Sequence, residues 1–152
     1  MKPRNQFGSR RSSEASRNLD TNVVVSGILS TNSPPALILD AWIQDKFESI
    51  MSRDLEKEIR EVLQRPKVKK RIKNPVDVEV VLSLLFKKSV SFKAKAGTFP
   101  SLPDLSDRFL FDLAVAANIE LVVTGDKALL EMNHVGAVHI ITPKEFLGKL
   151  DG

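Results

Sequence analysis

The stretch RNLDTNVVVSGIL, Arg17 to Leu29, sets one carboxylate, Asp20, beside two small polar residues and then runs into unbroken apolar sequence. Burying an unpaired carboxylate against such a run costs on the order of several kcal/mol. Asp20 therefore needs a partner or a task. The run Asn22–Ser30 reads as a helix, so Asp20 stands between a first strand and that helix, where it either caps the helix or faces a ligand.

Working outward, the chain alternates helical periods with short β-rich runs. Ser33 and Pro34 open a helix, FESIM (47–51) alternates as a strand, and Ser52 caps RDLEKEIREVLQR. Leu55, Ile59, Val62 and Leu63 in that last stretch form one apolar face. PKVKKRIK is a basic turn or short helix, and NPVDVEVVLSLLFKK opens with an Asn-Pro helix start. SVSF (89–92) is a strand and KAKAGTFPSLPDLS a Gly/Pro loop. DRFLFDLAVAAN is a helix stopped at Asn118, IELVVT a strand, GDKALLEM a short helix and VHIIT a strand. Thr142, Pro143 and Glu145 stand in capping-box register for a last helix. This alternation predicts an α/β sandwich around a mostly parallel central sheet.

The 152 residues suffice for one domain with a real core, and 42% apolar content fits a globule. The absence of cysteine excludes disulfides and thiolate metal sites and fits a reducing cytoplasm, the expected location. No apolar run is long enough to span a membrane. The net charge of +4 sits in residues 1–17, which hold five Lys/Arg and one Glu and read as a disordered basic tail. Residues 18–152, the expected folded domain, are balanced at 18 basic and 18 acidic side chains.

In a parallel α/β sheet, ligands bind beyond the carboxyl ends of the strands. Asp20 and Asp126 fall at such ends, and Asp107 opens the helix after the long loop with Asp104 one turn before it. Glu58 lies beside the apolar face of its helix. Taken singly, Asp104, Asp107 and Asp126 read equally well as caps, and Glu58 as a solvated charge. Together they suggest a shared acidic site. Two carboxylates about 4 Å apart repel by about 4 kcal/mol at an effective dielectric near 20. A cluster of them is protonated or holds a cation, and all-oxygen ligands favour Mg²⁺ or Mn²⁺. His134 and His139 read as edge or surface residues, and Trp42 and most of the eight Phe as core.

Four blocks, LDTNVVVSGIL, SRDLEKEIREVL, DLSDRFLFDLAVAANIELVVTGDKALL and ITPKEFL, resemble in order and spacing the PIN domain family. The branch they resemble most is that of toxin components of prokaryotic toxin–antitoxin pairs. The resemblance implies a three-layer α/β/α fold and a metal-dependent ribonuclease using Mg²⁺ or Mn²⁺, with Asp20, Glu58, Asp107 and Asp126 as catalytic metal ligands. It makes Asn22, Thr124 and Asp104 accessory. It also implies an RNA substrate, a silencing antitoxin and a homodimer formed through apolar surface on the early helices. The basic run Arg65, Lys67, Lys69, Lys70, Arg71 and Lys73, followed by Lys87, Lys88, Lys93 and Lys95, is a candidate phosphate track.

One departure stands out. The family places an apolar strand before LDTN, whereas these positions read EASRN. The central strand is therefore expected to be truncated, or the tail not to be the natural start of the domain. The alternative function is a PIN-like interaction module that no longer cuts. A haloacid-dehalogenase-type phosphohydrolase would need a second acid where Asn22 stands.

Overall fold

The computed structural model describes residues 16–92 and 105–151. The elements run β1 (Ser16–Leu19), α1 (Thr21–Leu29), α2 (Pro34–Ile43), β2 (Glu48–Met51), α3 (Arg53–Leu63), α4 (Pro66–Lys69), α5 (Pro75–Lys88), β3 (Val90–Ser91), α6 (Leu105–Ala116), β4 (Leu121–Val123), α7 (Lys127–Met132), β5 (His134–Val135), β6 (Val138–Ile141) and α8 (Pro143–Asp151). The strands form one sheet in the order β3-β2-β1-β4-β6-β5, parallel throughout except for the β5–β6 pair. This is the expected α/β/α architecture with a mostly parallel sheet.

Local sequence accounts for most element starts. The Ser33 hydroxyl accepts from Ala36 N at 3.2 Å, that of Ser52 from Leu55 N at 3.1 Å, and the Asn74 amide oxygen from Val76 N at 3.1 Å. At α8 the capping box is complete: Thr142 Oγ1 accepts from Glu145 N at 3.0 Å, and Glu145 Oε1 accepts from Thr142 N at 2.9 Å. Each bond satisfies a helix-end N–H that has no partner inside the helix. Asn118, at φ 58°, turns the chain out of α6 in the left-handed conformation that Asn tolerates.

β1 forms despite its polar sequence. It lies at the sheet centre, pairing Ser16 with Glu48 and Arg17 with Ser49 on β2, and Asn18 with Val122 and Leu19 with Val123 on β4. Asn18 is fully buried, and its Nδ2 donates to Leu110 O in α6 at 2.7 Å. The amide thus ties the central strand to the helix that crosses it, a bond no apolar residue could make. The Arg17 guanidinium lies 5.8 Å from the Phe146 ring centroid in α8, its stem against the sheet and its charge over a π face. By composition Arg17 belongs with the basic tail; in the fold it occupies the strand.

β5 is an element that the sequence pattern does not predict. It pairs antiparallel with β6 across a two-residue turn whose first residue, Gly136, has φ 59°. Glycine at that position is what a tight hairpin turn of this kind requires.

The core is continuous, from Leu19, Val23, Val24 and Ile38 through Ile50, Ile59 and Leu85 to Leu110, Phe111, Val122 and Phe146. Trp42 and Phe47 are buried within it, with Phe47 edge-on to Phe146 at 5.1 Å. α1 and α2 come unusually close at Gly27, where an added Cβ would stand 2.6 Å from Leu39 Cδ1 and 2.8 Å from Pro35 O. Among the described residues, no helix is long and apolar enough to cross a membrane.

Candidate active site at the carboxyl ends of the central strands

From β1 the chain builds outward to β2 and β3 on one side, then crosses to β4 and β6 on the other. The order therefore reverses between β1 and β4, and a crevice opens beyond the carboxyl ends of strands at such a point. Asp20 follows β1 directly, and Thr124, Gly125 and Asp126 follow β4. The backbone stitches the two ends together, with Asp20 N donating to Val123 O at 2.9 Å.

Asp20 is buried, at 8% exposure. It occupies the N-cap position of α1 but makes no side-chain capping bond there. Its Oδ2 instead accepts from Thr124 Oγ1 at 2.6 Å and from Asn22 Nδ2 at 3.0 Å. Asn22 is held in turn, its Oδ1 accepting from Gly125 N at 3.1 Å. Thr124 Oγ1 also accepts from Asp126 N at 3.0 Å. Asn22 and Thr124 thus orient Asp20 and pin the loop that carries Asp126.

Glu58 reaches the same place from α3. The Thr21 hydroxyl, at the first position of α1, donates to Glu58 Oε1. Sequence spacing gives no sign of this link, because 37 residues separate the partners and a threonine after an aspartate has many uses. Asp126 is partly buried and caps α7, its Oδ1 accepting from Ala128 N at 2.9 Å. The capping role open to it from sequence is real, and it leaves the second oxygen to face elsewhere.

Burial pushes the Asp20 carboxyl up from 3.8 to about 6. Hydrogen bonds from the Thr124 hydroxyl and the Thr21 backbone pull the other way, and the Glu58 and Asp126 carboxylates add to the rise by repulsion. Carboxylates from two other parts of the chain therefore act on Asp20. Among the described residues, however, no three His, Cys, Asp or Glu side chains form a group that could hold a metal ion. Asp107 lies in α6 with its side chain outside the described residues, and Asp104 lies outside them altogether.

Arg65, Lys67, Lys69, Lys70, Arg71 and Lys73 are all exposed, on and around α4. Arg65 follows the end of α3 by two residues and occupies the N-cap position of α4. Lys87 is exposed, Lys88 pairs with Asp45 at 3.0 Å, and Lys93 and Lys95 lie outside the described residues.

The mostly parallel α/β sheet thus brings Asp20, Glu58 and Asp126 toward one another at its switch point. Residues 18–128 match the PIN domain family, and the chain belongs to it. PIN domains are generally nucleases and usually use divalent metals. The chain is also similar to an uncharacterized protein of Methanocaldococcus jannaschii, at 26% identity over 141 residues, covering 88% of this chain and 90% of that protein.

Proposed function

We propose that this protein is a metal-dependent ribonuclease that hydrolyses RNA phosphodiester bonds and serves as the toxin of a toxin–antitoxin pair. The observation that carries the nuclease reading is the buried Asp20 carboxylate, held by Thr124 and Asn22 and repelled by Glu58 and Asp126. A fold that gives up stability to keep such a group at a strand-end crevice has a use for it.

The donor set fits a hard cation. Asp20, Glu58 and Asp126 offer only oxygen, and Asp107 would join them from α6, which suits Mg²⁺ or Mn²⁺. Such an ion, when bound, activates water and neutralises phosphoryl charge. The chain's own groups do the rest. Asn22 and Thr124 fix the Asp20 oxygen that they bond, Thr21 fixes Glu58, and the Gly125 backbone keeps Asn22 in place. The exposed basic run around α4 raises the local concentration of polyanion.

A nuclease assay on a mixed RNA pool, with and without Mn²⁺, tests this beside Asp20→Asn. Cleavage that needs both Mn²⁺ and Asp20 supports the reading; none under any condition favours the rival, a PIN-like module that binds without cutting. That rival draws on the polar sequence of the first strand, EASRN where the family has apolar residues. The antitoxin and homodimer parts of the proposal rest on the branch resemblance and on exposed apolar surface such as Leu37 of α2, at 42% exposure. Light scattering showing only monomer over a wide concentration range would remove the dimer.

A further inference from the structure

The antiparallel hairpin at the far edge of the sheet brings two imidazoles together. His134 of β5 stands directly across from His139 of β6, with ring centroids 6.2 Å apart. The hydrogen-bonding phase of the hairpin makes this a close pair. Ile140 N donates to Asn133 O at 2.9 Å on one side, and Val135 faces Val138 next to the turn on the other. His134 and His139 therefore occupy the non-hydrogen-bonded position between them, where opposing side chains approach most closely. Both are exposed, while Val135 and Val138 point into the core.

His134 Nδ1 lies 3.1 Å from Gly136 O, and a carbonyl can only accept, so this contact is made with the hydrogen on Nδ1. The neutral ring then presents its lone pair on Nε2. A backbone carbonyl holding Nδ1–H is the arrangement that typically orients a histidine ligand. A metal ion at about 2.0–2.1 Å from each ring nitrogen spans rings whose centroids are about 5–6 Å apart, close to the 6.2 Å found here.

We infer that the His134–His139 pair on the edge hairpin is a second metal site, one for a late first-row divalent ion such as Zn²⁺. Imidazole selects Zn²⁺, Ni²⁺ and Cu²⁺ over Mg²⁺ and Mn²⁺. The site is thus chemically separate from the carboxylates, and His139 N bonds Glu120 O at the amino end of β4, the opposite end from Thr124. No third His, Cys, Asp or Glu completes a group among the described residues, so the ion keeps open positions for water or for a donor from another molecule. Bridging the two strands, it fastens the two-residue edge strand β5 to β6.

The test is a Zn²⁺ titration of the full chain, read by calorimetry and by the NMR signals of the histidine rings. It is run on wild type, His134→Ala, His139→Ala and Asp20→Asn, with Mg²⁺ and Mn²⁺ as comparison ions. Both histidines are exposed, so equal metal-free melting temperatures establish that their variants fold. Wild type and Asp20→Asn should take up one equivalent of Zn²⁺ that shifts both rings, at least tenfold more tightly than either histidine variant. Neither Mg²⁺ nor Mn²⁺ should shift the rings. Zn²⁺ binding that is unchanged in both histidine variants, or that leaves the rings unperturbed, overturns the inference. Neither result bears on the nuclease reading, which uses none of these residues.

Discussion

Replacing Asp20 with Asn should make the metal-free protein more stable at neutral pH, and only there. The wild-type carboxyl is pushed from 3.8 to about 6, chiefly by burial. A folded value above the unfolded one means that the native state favours the protonated acid. Its contribution to stability is full below about pH 4 and is lost as pH rises through 6. A rise of this size corresponds to about 3 kcal/mol against the ionised form once both states are deprotonated. Asparagine removes that penalty but brings an amide NH₂ into a pocket shaped for an acceptor, a cost of about 1–2 kcal/mol. The net gain at pH 7 is then about 1–2 kcal/mol, or a melting temperature higher by about 2–8 °C. The assay is thermal unfolding of both proteins in chelator from pH 3.5 to 8. The variant should lie below the wild type at pH 4, and the curves should cross between about pH 4.5 and 5.5, with the variant above from there to neutral pH. Parallel curves over the whole range would refute the assignment of a buried, destabilised carboxylate. Added Mn²⁺ should then raise the wild type by mass action and the variant much less.

Other perturbations probe the supports of the site and the packing beneath it. Thr124→Val removes the hydroxyl that donates to Asp20 and accepts from Asp126 N; it should cost about 1–3 kcal/mol in chemical denaturation, and RNA cleavage should fall with it. Gly27→Ala puts a Cβ against Leu39 and the Pro35 carbonyl oxygen, so it should destabilise by about 1 kcal/mol or more even after the helix-propensity gain, and a stabilised variant would contradict the close approach of α1 and α2. Reversing Lys67, Lys69 and Lys70 to Glu should weaken RNA binding and flatten its salt dependence, by about 0.7 in log–log slope for each single-strand phosphate no longer neutralised; an unchanged slope would take the α4 region out of the RNA path.

Much of the architecture is legible in the sequence because its devices are local. Ser33, Ser52, Asn74 and the Thr142–Glu145 box announce helix starts within three residues of themselves, and all four make the expected bonds. β1 is the hard case. Arg17 and Asn18 have the composition of a tail, yet each is accommodated by a residue about a hundred positions away, Arg17 by Phe146 and Asn18 by Leu110. No window of sequence contains those partners. β5 is illegible for a different reason: two residues cannot display a period, and only Gly136 hints at the turn. At the candidate site, the strand-end placement of Asp20 and Asp126 is readable from their positions beside apolar runs. The Thr21–Glu58 bond joins two helices and is not.

The bond from Thr124 to Asp20 closes a separation of 104 residues. During synthesis this has a temporal consequence. A ribosome that has released β1, α1 and even α3 has released Asp20 and Glu58, but nothing yet holds the Asp20 carboxylate, because β4 and the Thr124 loop are still to come. Long-range pairing of this kind is late and cooperative. The acidic crevice is therefore absent from every nascent chain that has not yet released Thr124. On the proposed function, the chain acquires its means of cutting RNA only after Thr124 has emerged, a delay built into the order of its elements.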